Sequence, residues 1–202
     1  MNNSSFIRLS GWSFIIGAFC FYMFFPFYYL SLTGVNVDRL IAAGWGISYD
    51  LSFYWSPFVL AIGMFGLLAR YGEIVGKLGK VFILISPVGI LISQYGLTQA
   101  SIYDQDVVVS SAGVLMLMTC LALFGALALI TKPLPRWNGL PIIAGLGFPA
   151  FFLYSAIAGT INESSFLSQF AILVLIVTIQ FIALVMLGYM LQANVSREMK
   201  IV

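Results

Sequence analysis

The 202-residue chain is 61% hydrophobic and 8% charged with a mean hydropathy of +1.04, against about 25% charge in an ordinary soluble domain, which excludes water as its main solvent. A net charge of +2 with no basic run interleaved with aromatics excludes nucleic acid as a partner. The absence of histidine excludes a bis-histidine cytochrome, an HExxH protease and a histidine proton relay.

Six apolar stretches are long enough to cross a hydrocarbon core of about 30 Å, which takes roughly 20 helical residues. The first, near 9–31, reads "LSGWSFIIGAFCFYMFFPFYYL". It is too long and aromatic for a secretory signal and lacks a small-x-small cleavage site, so a retained span is expected. The connection after it, residues 32–50, is unusually apolar. In "NVDRLIAAGWGISYD" Asn36 or Asp38 caps a short helix that Gly44 ends, with Trp45 and Tyr49 at headgroup depth. This segment is expected on the membrane surface or dipping into the mouth of the bundle.

The second and third stretches, near 51–69 and 81–98, are joined by "LLARYGEIVGKLGK", where Arg70, Glu73, Lys77 and Lys80 meet three glycines. A turn is predicted there. The Gly72-x-x-x-Gly76 spacing reads as flexibility near the headgroups, the alternative being a helix-dimer motif. A fourth stretch, near 107–131, is followed by "TKPLPRWNGLP", in which Pro133, Pro135 and Pro141 stop the helix and Trp137 suits an interface. The fifth and sixth lie near 140–160 and 166–191.

Sorting charges onto the two sides that alternating spans define puts Arg8, Arg70, Lys77, Lys80, Lys132, Arg136, Arg197 and Lys200 on one side and only Arg39 on the other. Positive residues stay cytoplasmic, so both termini are expected inside. The fold class expected is an all-α polytopic bundle of six transmembrane helices in the cell membrane, residues 1–202 forming one domain. Within the spans Pro26, Pro87 and Pro149 free the carbonyls of Tyr22, Ile83 and Gly145, which either bends packed helices or borders a cavity. Ser13 and Gly17, Ala122 and Ala126, and Ser155 and Gly159 permit close helix contact. Cys20 and Cys120 lie in apolar sequence and read as small hydrophobes.

Every charged residue falls in a connection or at a span end, which argues against a proton-coupled pump. Gln180, near the centre of the sixth stretch, needs a partner because an unpaired amide is costly in an apolar medium. An interhelical hydrogen bond is the default and a ligand contact the alternative. The outer halves of the spans collect Tyr22, Tyr28, Tyr29, Gln94, Tyr95, Tyr154, Ser155 and Gln169, beneath Asp50, Asp104, Asp106 and Glu163. Such carboxylates over tyrosine faces could attract a cationic headgroup, and an aromatic belt under solvated acids is the plainer reading. Asp104-x-Asp106 alone reads as solvated turn charge, so neither metal nor cofactor is expected. Asn162-Glu163-Ser164 fits a glycosylation sequon in a loop too short to favour it.

The stretch "GISYDLSFYWSPFVLAIGMFGLLARYGE", residues 46–73, resembles the loop-to-second-span region of the DRAM-like proteins and of several six-span prokaryotic families of unassigned function. Members often carry a histidine at the start of the fourth span, where this chain has "VVVSSAG". The resemblance implies a six-span fold and no known enzyme activity. The function expected is therefore a non-enzymatic membrane protein that binds lipid or a partner subunit, with Tyr22, Gln94, Tyr95, Tyr154, Gln169 and Gln180 as candidate ligand contacts. A second copy of the chain is another expected partner. The alternative function is a small transporter or channel with an outward vestibule.

Overall fold

The structure is a computed structural model and describes residues 3–23, 25, 47–103, 108–134, 137–158 and 166–198. Pro26, Tyr28, Tyr29, the capped helix expected within 36–44, Asp104, Asp106, Arg136, Gly159, the 162–164 sequon and Lys200 lie outside the described residues. Every described element is helical. The order is α1 (Asn3–Tyr22), a π-helical segment (Asp50–Trp55), α2 (Ser56–Tyr103), α3 (Val108–Thr131), α4 (Leu140–Ala158) and α5 (Phe166–Glu198).

Four helices among the described residues are long and apolar enough to cross a membrane, within Ser4–Tyr22, Ile47–Gln99, Ser111–Thr131 and Val174–Ala193, with a shorter apolar helix at Leu140–Tyr154. The turn predicted over residues 67–80 is narrowed to a single residue. That segment is helical throughout except at Gly76, where φ is 83° and ψ −172°, a region open essentially to glycine alone. Glu73 and Lys77 stand four apart in the favourable order for a helix, and Lys80 pairs with Glu73 across the break. Charge and glycine together marked the turn, and only one residue had to leave helical geometry.

That residue folds α2 in half. Gln94 Nε2 donates to the carbonyl of Tyr54 at 3.2 Å across 40 residues. A straight helix would hold those residues about 60 Å apart. The limbs 56–75 and 77–103 therefore run antiparallel, side by side.

The helices close into a ring in the order α1, first limb of α2, second limb, α3, α4, α5 and back to α1. Two seams depend on glycine pairs. A Cβ on Gly11 would lie 2.7 Å from the Gly188 carbonyl oxygen, and one on Gly188 would lie 2.4 Å from that of Gly11, which sets the α1–α5 approach. Gly89 and Gly113 meet in the same reciprocal way between the second limb and α3. Of the small residues singled out by spacing, Gly17 admits Leu60, and Ala122 lies against Gly145. Phe14, Leu60, Leu67, Leu117, Leu121, Phe124, Leu184 and Leu187 fill the interior.

The exterior is as apolar as the core: Leu9, Trp12, Ile16 and Phe19 on α1, Leu84, Val88 and Leu91 on α2, and Leu175, Ile179 and Ile182 on α5 are exposed. Helices apolar on every face belong in a large core or in lipid. Contacts at Ser10–Gly66 and Ser56–Gly17 make α1 antiparallel to the first limb, and those at Gly11–Gly188 and Tyr22–Thr178 make it antiparallel to α5. The start of α1, the Gly76 break, the 132–139 connection and the last turns of α5 thus share one end, called here the Gly76 end.

Candidate functional site

At the opposite end three phenylalanine-bearing segments converge. Phe21 lies in the last turn of α1 and Phe25 just after it, Phe53 sits in the π-helix, and Phe148, Phe151 and Phe152 project from α4. With Ser111 of α3 they line a cavity of about 190 Å³.

The π-helix is held in place from both sides. Ser52 Oγ donates to the Cys20 carbonyl at 2.7 Å and lies 3.2 Å from that of Phe21, and Ser56 Oγ donates to the Gly17 carbonyl at 3.0 Å. Together with the equally buried Ser48 they form a seam of serines four residues apart. On the other flank Gln94 Nε2 reaches the carbonyls of Phe53 at 3.4 Å and Tyr54 at 3.2 Å. Away from water, hydroxyl and amide donors bond backbone oxygens because no other acceptor is at hand. Phe53 is thereby fixed at the cavity wall.

The rings brace one another. Phe21 meets Phe148 edge to face at 5.7 Å between centroids, Phe25 meets Phe151 at 6.1 Å, and Phe148 meets Phe152 at 5.1 Å. Such pairs contribute roughly 0.5–1.5 kcal/mol each beyond their burial. Positions 148, 151 and 152 share one helical face by their three- and four-residue spacing. Pro149 beside them lacks an N–H, which frees the carbonyl of Gly145 inside α4.

Chemically the lining offers six phenyl rings and one hydroxyl. A polar solute would leave its hydration without replacement, whereas an apolar group loses nothing by entering. Among the described residues no group of three or more His, Cys, Asp or Glu could hold a metal.

The residues expected from sequence are scattered relative to this cavity. Tyr22 shares a hydrogen bond of 3.2 Å with Thr178 of α5, and its ring packs on Phe25 and Phe181. Gln94 supports Phe53 as described. Tyr95 is 62% exposed on the outer surface, and Tyr154 is half-buried on α4. Gln180 is buried, its Nε2 donating to Met118 Sδ at 3.5 Å, while its Oε1 has no hydrogen-bond partner among the described residues. Asp50 opens the π-helix and is exposed. Gln169 falls on α5 with its side chain outside the described residues, as Glu163 is altogether. Of the candidate contacts, Tyr22 and Gln94 touch residues that line the cavity.

Sequence reasoning missed the phenylalanines because it searched the outer half for polar groups. The signal was the spacing of Phe21 with Phe25 and of Phe148 with Phe151 and Phe152. The serine seam was equally visible as "SYDLSFYWS". Compared with known protein families, curated proteins and solved structures, the chain matches none.

Proposed function

We propose that the chain is a six-span, non-enzymatic protein of the cell membrane, with both termini cytoplasmic, that binds the apolar chain of a lipid in its phenylalanine cavity. It acts as an accessory or organising component. The observation that carries this reading is the cavity itself, six phenylalanines and one serine around about 190 Å³. A dry apolar cavity of about 150 Å³ holds a benzene ring, and sites for drug-sized molecules begin near 300 Å³. The space thus suits a ring or the end of a chain rather than a whole polar metabolite.

The six-span topology is supported by the fold-back of α2, whose limbs of 56–75 and 77–103 are each long enough to cross. It is supported also by the apolar exterior and by the cations. Arg8, Arg70, Lys77, Lys80 and Lys132 all belong to segments toward the Gly76 end. The positive-inside rule makes that end cytoplasmic. The likeness of residues 46–73 to six-span families points the same way.

The reading is tested with a phospholipid carrying a photoactivatable diazirine near the end of one acyl chain. After reconstitution and illumination, crosslinks are expected at Phe53, Ser111 and Phe151, and their loss is expected in Ser111→Trp. Crosslinks confined to the exterior, at Leu91 and Leu153, would overturn it. Solute flux through proteoliposomes that Ser111→Trp abolishes would make the protein a transporter or channel instead.

A further inference from the structure

A second concavity lies at the Gly76 end, on the outer surface between α4 and α5. Trp137, Asn138, Gly139, Leu140 and Ile143 form one wall and Ile179, Ile182, Ala183 and Met186 the other, around about 380 Å³. Its α5 wall runs over two turns, about 10 Å of helix. Trp137 stands 51% exposed at its head. The last turn of α3 flanks that head: a Cβ on Gly139 would lie 3.9 Å from Leu129 Cδ2, and Lys132 follows one turn later with an exposed side chain. The backbone of Lys132 is turned out of the helix at φ 50°, ahead of Pro133, while its N–H still reaches the Ala128 carbonyl at 2.9 Å. The connection is further set by the Leu134 N–H donating to Asn138 Oδ1 at 2.8 Å.

We propose that this groove takes one acyl chain of an anionic phospholipid, with the headgroup phosphate against Lys132. Charge complementarity selects this occupant. The segment 131–141 carries two cations, Lys132 and Arg136, and no acid, while the groove below carries no charge at all. Cations just beyond an apolar wall attract anionic lipid at the cytoplasmic surface. A second copy of the chain seated symmetrically here would bring its own Lys132 onto the same cation, because a two-fold contact pairs a patch with itself. The volume also exceeds the roughly 300 Å³ at which ligand sites begin.

This inference rests on the membrane-spanning, lipid-binding reading above. The test uses the purified full chain in neutral detergent, titrated with phosphatidylglycerol or phosphatidylcholine of identical acyl chains. Retained lipid is counted by native mass spectrometry and melting is followed in parallel. The wild type is expected to retain one phosphatidylglycerol in preference to phosphatidylcholine. Lys132→Gln should weaken that retention about fivefold, the effect of one cation near a membrane surface. Ile179→Trp, which fills the groove from an exposed position, should abolish it, and Leu84→Trp, exposed on α2 and lining neither concavity, should leave it intact. Equal retention of both lipids, unchanged in Lys132→Gln, means an ordinary lipid annulus and overturns this inference alone. If neither lipid binds or stabilises the wild type, the lipid-binding reading itself falls.

Discussion

Gln94 and Tyr54, 40 residues apart along the chain, are joined by a hydrogen bond of 3.2 Å from the Gln94 amide to the Tyr54 carbonyl. This bond ties the far end of the α2 hairpin to the π-helix that shapes the cavity. Replacing Gln94 by Leu keeps the bulk and removes the donor that reaches both carbonyls. A loss of about 1–2 kcal/mol is expected, within the range for interhelical hydrogen bonds in membranes. Detergent-matched melting of wild type and Gln94→Leu measures it, and an unchanged midpoint would show that the hairpin holds without this bond.

Gly76 allows α2 to reverse, and its φ of 83° is closed to other residues without strain. Nothing crowds the position a Cβ would take, so Gly76→Ala isolates the backbone effect from packing. About 1–3 kcal/mol of destabilisation is expected. Gly72→Ala serves as the comparison, since Gly72 is helical and its added methyl would meet the flexible end of Leu68 at 3.0 Å and Lys80 Cγ at an ordinary 3.6 Å. Equal effects of the two substitutions would contradict a special role for Gly76.

Gln180 and Gly147 form a coupled pair between α5 and α4. A Cβ on Gly147 would come within 2.6 Å of Gln180 Oε1 and 2.5 Å of its Cβ, so Gly147→Ala should destabilise the wild type by about 1–3 kcal/mol. Gln180→Leu removes a carbonyl that has no hydrogen-bond partner among the described residues and an amide whose acceptor is only a thioether, so stability should hold or rise by about 1 kcal/mol. Gly147→Ala should cost less in a Gln180→Ala background. A double-mutant cycle with no coupling would separate the two residues.

Orientation can be read by labelling in a chain freed of Cys20 and Cys120. Lys77→Cys, beside the hairpin break and exposed, should react with an impermeant maleimide only after permeabilisation, and Ser164→Cys should react in intact cells. Lys77 is preferred to Gly76 for the probe because a side chain at Gly76 would strain the turn. Labelling of Lys77→Cys in intact cells would invert the topology.

The long helices were legible because apolar length is a one-dimensional property. The expected 107–131 and 140–160 meet α3 at Val108–Thr131 and α4 at Leu140–Ala158 almost residue for residue. The join at 67–80 was legible as a turn, which the chain makes at Gly76, but its shortness was not, because composition averages over a segment whereas helix breaking is decided by one residue's φ. Gln180 was singled out correctly as buried, yet its partner is a methionine sulfur, which no polar pattern announces. The cavity was not legible as a site, since phenylalanine in an apolar chain is indistinguishable from core until the helices are placed.

The π-helix also sets a phase. A π turn holds one residue more than an α turn, and each residue of an α-helix advances about 100°. Deleting a single residue from Asp50–Trp55, such as Leu51, would let the segment relax to ordinary helix. Residues 47–49 would then swing by about 100° relative to α2. Ser52 and Ser56 would keep their grip on α1, but Ser48 would rotate off the seam, and the chain arriving from residue 47 would enter on a different side of the bundle. The extra residue works as a rotary spacer between Ser48 and the body of the protein.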